Sequence, residues 1–188
     1  MFLHERLRRN PQGDRPEVAA GTYVDPAATV IGRVRLGERV LVAPGAVIRA
    51  DESGPAGAVA PVVIGDECNV QDNVVIHALG GTTVEIGARS SLTHGCVVHG
   101  PAHLGAGCFV GFNAVVFRAE LGEGVMVGHG ALVAGMCLPA GTLVPPGARV
   151  TSEEDAAGLG QVGQAEREFM AEVVETNLHL AEGYAGLA

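Results

Sequence analysis

"IGARSSLTHGCVVHGPAHLGAGCFVGFNAVV", residues 86–116, carries an aliphatic residue at every sixth position: Ile86, Leu92, Val98, Leu104, Val110 and Val116. Toward the N-terminus the same frame returns, past short interruptions, at Ile76, Val70 and Ile64 and then at Ile48, Val42, Leu36, Val30 and Val24. Toward the C-terminus two one-residue slips lead to Leu121, Val127 and Val133, and then to Leu138, Val144 and Val150. All twenty positions are Val, Ile or Leu, and self-similarity at a fixed period is the mark of a repeat architecture.

The fifth position of each unit is mostly small, as at Ala28, Ala46, Cys68, Cys96, Ala102, Cys108, Ala114, Ala131, Cys137 and Ala148. An aliphatic residue every six positions with a small partner before the next describes a short strand, a tight corner and another short strand. Three such edges close a triangular coil of about eighteen residues whose interior is the aliphatic column. The pattern resembles the hexapeptide-repeat proteins, whose strands wind left-handedly against the usual right-handed crossover. The expected fold is therefore all-β, a left-handed parallel β-helix of about seven triangular coils. In "AEREFMAEVVETNLHLAEGY", residues 165–184, Phe169, Val173 and Leu180 fall on one stripe with Met170, Val174, Asn177 and Ala181 beside it, which is helical spacing. This C-terminal α-helix is expected to pack on the flank of the coil. The chain divides into an N-terminal segment (1–23), the β-helix (24–151), a linker (152–164) and the helix (165–184).

The chain has 188 residues, enough for one domain, with only 4% aromatics, no Trp and 28 glycines, so its core is built from small aliphatic layers. A formal charge of −9, with no basic cluster after residue 9, disfavours nucleic acid and anionic membrane surfaces as partners. The start, "MFLHERLRRNPQGDRP", lacks an apolar signal core, and no stretch reaches the ~18 apolar residues that span a bilayer, so the expected compartment is the cytoplasm. All four cysteines fall at the inward fifth position, which predicts packing and neither disulfides nor a thiolate metal site.

Three histidines stand out against this background. If Ile64, Val70 and Ile76 open faces one, two and three of a coil, then Ile86, Leu92 and Val98 open the same faces one coil higher. His77 and His99 both follow the leading residue on face three, so they stack at about 4.8 Å, one strand spacing, with Arg49 one coil below. His94 lies around the corner on face two, above Asp72 and Gln71. If copies pack as a homotrimer, face three of one against face two of the next, the three imidazoles converge between subunits. Three neutral imidazoles with an open fourth position are the ligand set of a catalytic zinc, with iron(II) or cobalt(II) as alternatives. The other histidines (His4, His103, His129 and His179) read as solvated.

The stretches "VIRADE" (47–52), "NVQDNVVIHAL" (69–79), "THGCVVHGP" (93–101) and "NLHLAEGY" (177–184) resemble the gamma-class carbonic anhydrases over residues 22–184. The resemblance implies that His77, His99 and a neighbour's His94 hold the metal, whose bound hydroxide reversibly hydrates carbon dioxide to bicarbonate. It further implies that Gln71 orients that hydroxide, that Asn177 helps place carbon dioxide, that Arg49, Asp51 and Asp72 form a salt-bridged subunit contact, and that Glu52 transfers protons. Two departures stand out. Gly80, in the short loop "ALGGTTVE", replaces a glutamate that serves in proton transfer, so Gly80→Glu raises turnover if that loop lets the side chain face the metal, and Glu175 replaces a tyrosine. The alternative function is a structural or assembly protein of a shell or larger complex. A hexapeptide acyltransferase is disfavoured by the stacked histidine pattern.

Overall fold

The computed structural model describes residues 6–187, so the reading of His4 lies outside the described residues. The chain winds through three sheets of eight, seven and eight strands, all parallel but for one edge strand of the third, the triangular β-helix expected from the repeat. Each strand is two to four residues long, because a residue sits on a flat face for only part of each six-residue period before the corner turns it. The leading aliphatics point inward and are sealed from solvent: Val30, Val42, Ile48, Val70, Ile76, Leu92, Val98, Leu104, Val110 and Val116 are all 0% exposed. Glycines beside them on face one permit the coils to stack. A Cβ on Gly87 would stand 2.4 Å from the backbone nitrogen of Ala106 in the coil above.

The coil begins earlier than residue 24. Strands Leu7–Arg8 and Glu17–Val18 already pair in parallel with Thr29–Gly32 and Val34–Leu36, so the N-terminal segment forms most of the first turn. Its strands are too short and too polar to show a period. The span 152–164 is also structured. It holds a helix, α1, Glu153–Ala157, closed by a capping box between Ser152 and Asp155, and a strand, Gly160–Gln161, antiparallel to Thr142–Val144.

The C-terminal helix, α2, runs Gln164–Ala185 and lies across face two. Its buried stripe is Met170, Val174, Leu178 and Ala181, whereas Phe169 and Leu180 stay exposed, so the helix is rotated from the stripe read in the sequence. Beneath it Phe109, Val162 and Met170 form a second small core. Arg39 and Arg89 both bind Glu67, and reach Glu182 at 2.9 Å and Glu175 at 2.6 Å, tying the helix to the corner of the coil.

Three cysteines are buried as expected, and burial pushes the thiols of Cys68 and Cys96 up to about 12. Cys137 differs. The coil there is one residue short, so position 137 aligns with outward Glu120, and Met136 takes the inward place at 4% exposure. Among the described residues, no helix is long and apolar enough to cross a membrane.

Candidate metal centre

Face three brings His77, His99 and Arg49 into one outward column, since the parallel register pairs His77 with both His99 and Arg49. The two imidazoles meet edge to face, centroids 5.1 Å apart at 79°, with His77 Nδ1 and His99 Nε2 separated by 3.3 Å. Their outer nitrogens face acceptors. His77 Nε2 lies 3.3 Å from Asp51 Oδ1 and 3.5 Å from Glu52 Oε1, and His99 Nδ1 lies 3.1 Å from the Gly100 carbonyl. Arg49 Nη2 is 3.4 Å from His77 Nε2, but its guanidinium fork is engaged by Asp51 at 3.0 and 3.3 Å.

In the tautomers that Asp51 and the Gly100 carbonyl favour, with the N–H on His77 Nε2 and on His99 Nδ1, the lone pairs of His77 Nδ1 and His99 Nε2 face one another; with the N–H on His77 Nδ1, that nitrogen donates to His99 Nε2 and Nε2 accepts from Arg49. Two acceptors so close repel unless a cation or proton lies between them. Two nitrogens each about 2.0–2.1 Å from a tetrahedral ion stand about 3.3 Å apart. The pair therefore fits two of the ligands of a first-row metal, and Asp51 supplies the carboxylate behind a ligand histidine that fixes its tautomer.

His94 is held elsewhere, in the turn between Ser91–Leu92 and Val97–His99. Its Nδ1 pairs with Asp72 Oδ2 at 2.9 Å, and its ring tilts against Phe112 at 5.1 Å. A cleft of about 290 Å³ is lined by His94, Asp72, Gln71 and, from α2, Asn177. Gln71 is 7% exposed and donates to Asn69 Oδ1 at 2.9 Å, while Asn69 donates to Ser91 Oγ at 2.8 Å, so its amide is oriented by the row beneath α2. Asn177 is tethered by a 2.8 Å bond to the Val173 carbonyl of its own helix. Among the described residues of one chain, no three His, Cys, Asp or Glu side chains are arranged to hold a metal ion.

The chain thus presents two half-sites on different faces. One groups His77, His99, Arg49, Asp51 and Glu52; the other groups His94, Asp72, Gln71 and Asn177. Within the chain Arg49 pairs with Asp51, and Asp72 pairs with His94. Glu175 belongs to neither half. It is clamped to Arg89, whose guanidinium holds its carboxyl below the usual range.

Three neighbours escaped the sequence reading. Phe117 pairs in register with His99, 5.5 Å between rings, and the six-residue frame that aligned the histidines also reaches it. Phe112 sits one coil above His94 in the corner column, a place the same count gives. The role of Asn69 follows from the column it shares with Ser91. The condition attached to Gly80→Glu is not met without a shift of the loop, because a Cβ on Gly80 would lie 2.6 Å from the Ser53 carbonyl oxygen.

No protein-family model matches the chain. It is 37% identical over 196 residues to a carbonic anhydrase of Methanosarcina thermophila, an alignment covering 93% of this chain and 77% of that protein. It is also 37% identical over 178 residues to a carboxysome assembly protein of Nostoc, covering 89% of this chain but only 31% of that longer protein. A solved hexapeptide transferase family protein from Anaplasma phagocytophilum superposes with a TM-score of 0.78 at 25% identity, over 96% of this chain and 98% of the other.

Proposed function

The chain belongs to the gamma-class carbonic anhydrase family, and we propose that it catalyses the reversible hydration of carbon dioxide to bicarbonate at a metal held between subunits of a homotrimer. The observation that carries this reading is the approach of His77 Nδ1 and His99 Nε2 to 3.3 Å, the spacing of two ligands on one ion, with a third imidazole, His94, displayed on a separate face. His77, His99 and a neighbour's His94 would hold the ion, with zinc the first choice and iron(II) or cobalt(II) as alternatives. When bound, such an ion lowers the pKa of water to roughly 7, which makes hydroxide available at neutral pH.

The protein's own groups supply orientation and proton management. Asp51 and the Gly100 carbonyl keep both ligand nitrogens of the face-three pair turned inward. Gln71, pinned by Asn69, and Asn177 line the cleft beside His94, where they orient the attacking oxygen and the carbon dioxide. As the oxygen of water bonds to carbon, a carbon–oxygen π pair moves onto oxygen and one proton is released. Glu52, within 3.5 Å of the histidine pair, accepts that proton and passes it to buffer.

What face three exposes supports the trimer. Its outward positions include the half-buried Val47, Val97, Val115 and Leu132 and the exposed Val75, an apolar ladder that no helix among the described residues covers, whereas face two is covered by α2. Closed cyclic symmetry covers the ladder and completes three identical sites. Four free cysteines suit a reducing compartment, and the proposal places the enzyme in the cytoplasm.

Metal analysis of anaerobically purified protein, light scattering and a stopped-flow hydration assay test this reading together. A trimer with one ion per subunit and fast hydration is expected; a monomer, or metal retained by a monomer, overturns it. A second reading, an assembly role, is favoured by the similarity to the Nostoc protein over 89% of this chain. Fully metallated trimers without hydration activity would select it.

A further inference from the structure

Two loops leave face three beside the histidine pair, at residues 51–61 and 78–83, and they meet through glycines. A Cβ on Gly54 would lie 2.6 Å from the Gly81 Cα, and a Cβ on Gly80 would lie 2.6 Å from the Ser53 carbonyl oxygen and 3.2 Å from its carbon. At that approach the Gly80 N–H donates to Glu52 Oε2 at 3.0 Å, while the other carboxylate oxygen stands 3.5 Å from His77 Nε2. Glu52 is thus held between a backbone amide and the histidine.

Ser53 has little room to retreat from a larger residue at position 80. Its hydroxyl accepts from Gln12 Nε2 at 2.6 Å, and its backbone bridges to Val59. One step earlier, Asn10, 5% exposed, donates to the Ala50 carbonyl at 3.2 Å and receives the amides of Gln12 and Asp14. The first coil therefore braces the end of strand Val47–Ala50 and the loop after it that carries Asp51 and Glu52, and the glycine loop closes on that segment from the other side. Any side chain at position 80 must push that loop away and break the bond to Glu52.

We propose that Gly80 is a positioning residue, whose missing side chain lets its backbone N–H hold the Glu52 carboxylate against His77. The inference rests on the carbonic anhydrase reading for its kinetic consequence, though not for the contact itself. It also gives the departure at this position a physical meaning: in place of a second carboxylate, the loop contributes an amide that fixes the first.

Amide hydrogen exchange in the metal-loaded protein tests the contact directly. In Glu52→Ala the Gly80 amide should exchange ~10-fold faster, the loss of one charge-assisted hydrogen bond. The Thr82 amide, bonded to the Leu79 carbonyl at 2.9 Å, should not change. Equal Gly80 exchange in parent and variant overturns the proposal. The kinetic arm compares Gly80→Ala, Glu52→Ala and the double variant at saturating carbon dioxide in dilute buffer. Each single variant should lower kcat with KM and metal content unchanged, imidazole should restore part of the rate, and the double variant should be no slower than Glu52→Ala. Effects that multiply overturn the positioning role. If the metallated parent shows no hydration, the functional reading fails, and the exchange comparison alone decides the contact.

Discussion

Faces one and three are built from the same six-residue unit, but their outward ladders differ in kind. On face one the outward positions read Glu17, Arg35, Val63, Glu85, His103, Glu120 and Cys137 up the sheet, and polar partners sit one strand apart, as in the Arg35–Glu17 ion pair (3.2 Å) and the approach of His103 Nδ1 to Glu85 Oε2 (3.4 Å). On face three the first outward column is Val47, Val75, Val97, Val115 and Leu132, and the second holds Arg49, His77, His99 and Phe117. The interior places the same demand on both faces, so the difference has to come from what lies outside. A charged ladder is content in water; an aliphatic one flanked by facing imidazoles suits the proposed subunit contact and its metal.

The largest expected effect sets His94→Ala against His103→Ala. The first should reduce both metal retention and hydration to background and weaken the trimer, and the second should change none of these. Metal content and light scattering on both variants check it, and full metal occupancy in His94→Ala breaks the comparison. Next comes Val97→Asp, which forces an unpaired carboxylate into the covered ladder and should weaken trimer affinity at least ~100-fold. Glu85→Gln on the open face should leave the mass unchanged. Sedimentation velocity over a dilution series separates the two.

Glu52→Ala sharpens the comparison within face three. Turnover at saturating carbon dioxide in dilute buffer should fall about 100-fold, the usual scale of a proton-transfer group, and imidazole should return part of it. A rate independent of both Glu52 and buffer would send the proton by another route.

The smallest effect concerns face two, which the chain covers for itself. The pKa of Glu175 is lowered from its usual 4.5 by the Arg89 contact. A depressed carboxylate stabilises the fold above its ordinary pKa and loses that contribution as pH falls through the lowered value. Acid below about pH 4.5 or high salt should therefore loosen α2, and Arg89→Ala should lower the melting temperature by about 2 °C at neutral pH and remove the acid-dependent part. An unchanged acid limb in Arg89→Ala would show that the other contacts of α2 hold it alone.

Much of this molecule was legible in the chain because a β-helix turns one-dimensional spacing into three-dimensional columns. Counting in sixes places His77 above Arg49 and below His99, and it separates His94 onto another face, before any coordinate is known. The same count fails where the period is broken. Cys137 turned outward because a five-residue step shifts the alternation, and the first coil went unseen because Leu7–Arg8 and Glu17–Val18 are too short to show a repeat. In α2 several apolar residues compete for the buried stripe, so only the packing surface selects Met170, Val174, Leu178 and Ala181.

The sequence by itself determined the coil, its three faces and which imidazoles share one, since an aliphatic residue every six positions can be buried in a single column only by such winding. Only the tertiary structure decided which acceptors surround His77 and His99, how Gln71 and Asn177 are anchored beside His94, and the part played by Gly80. Those depend on where carbonyls, carboxylates and backbone amides from distant loops come to rest, and a glycine's contribution there is the distance it allows between two backbones, which no side-chain pattern records.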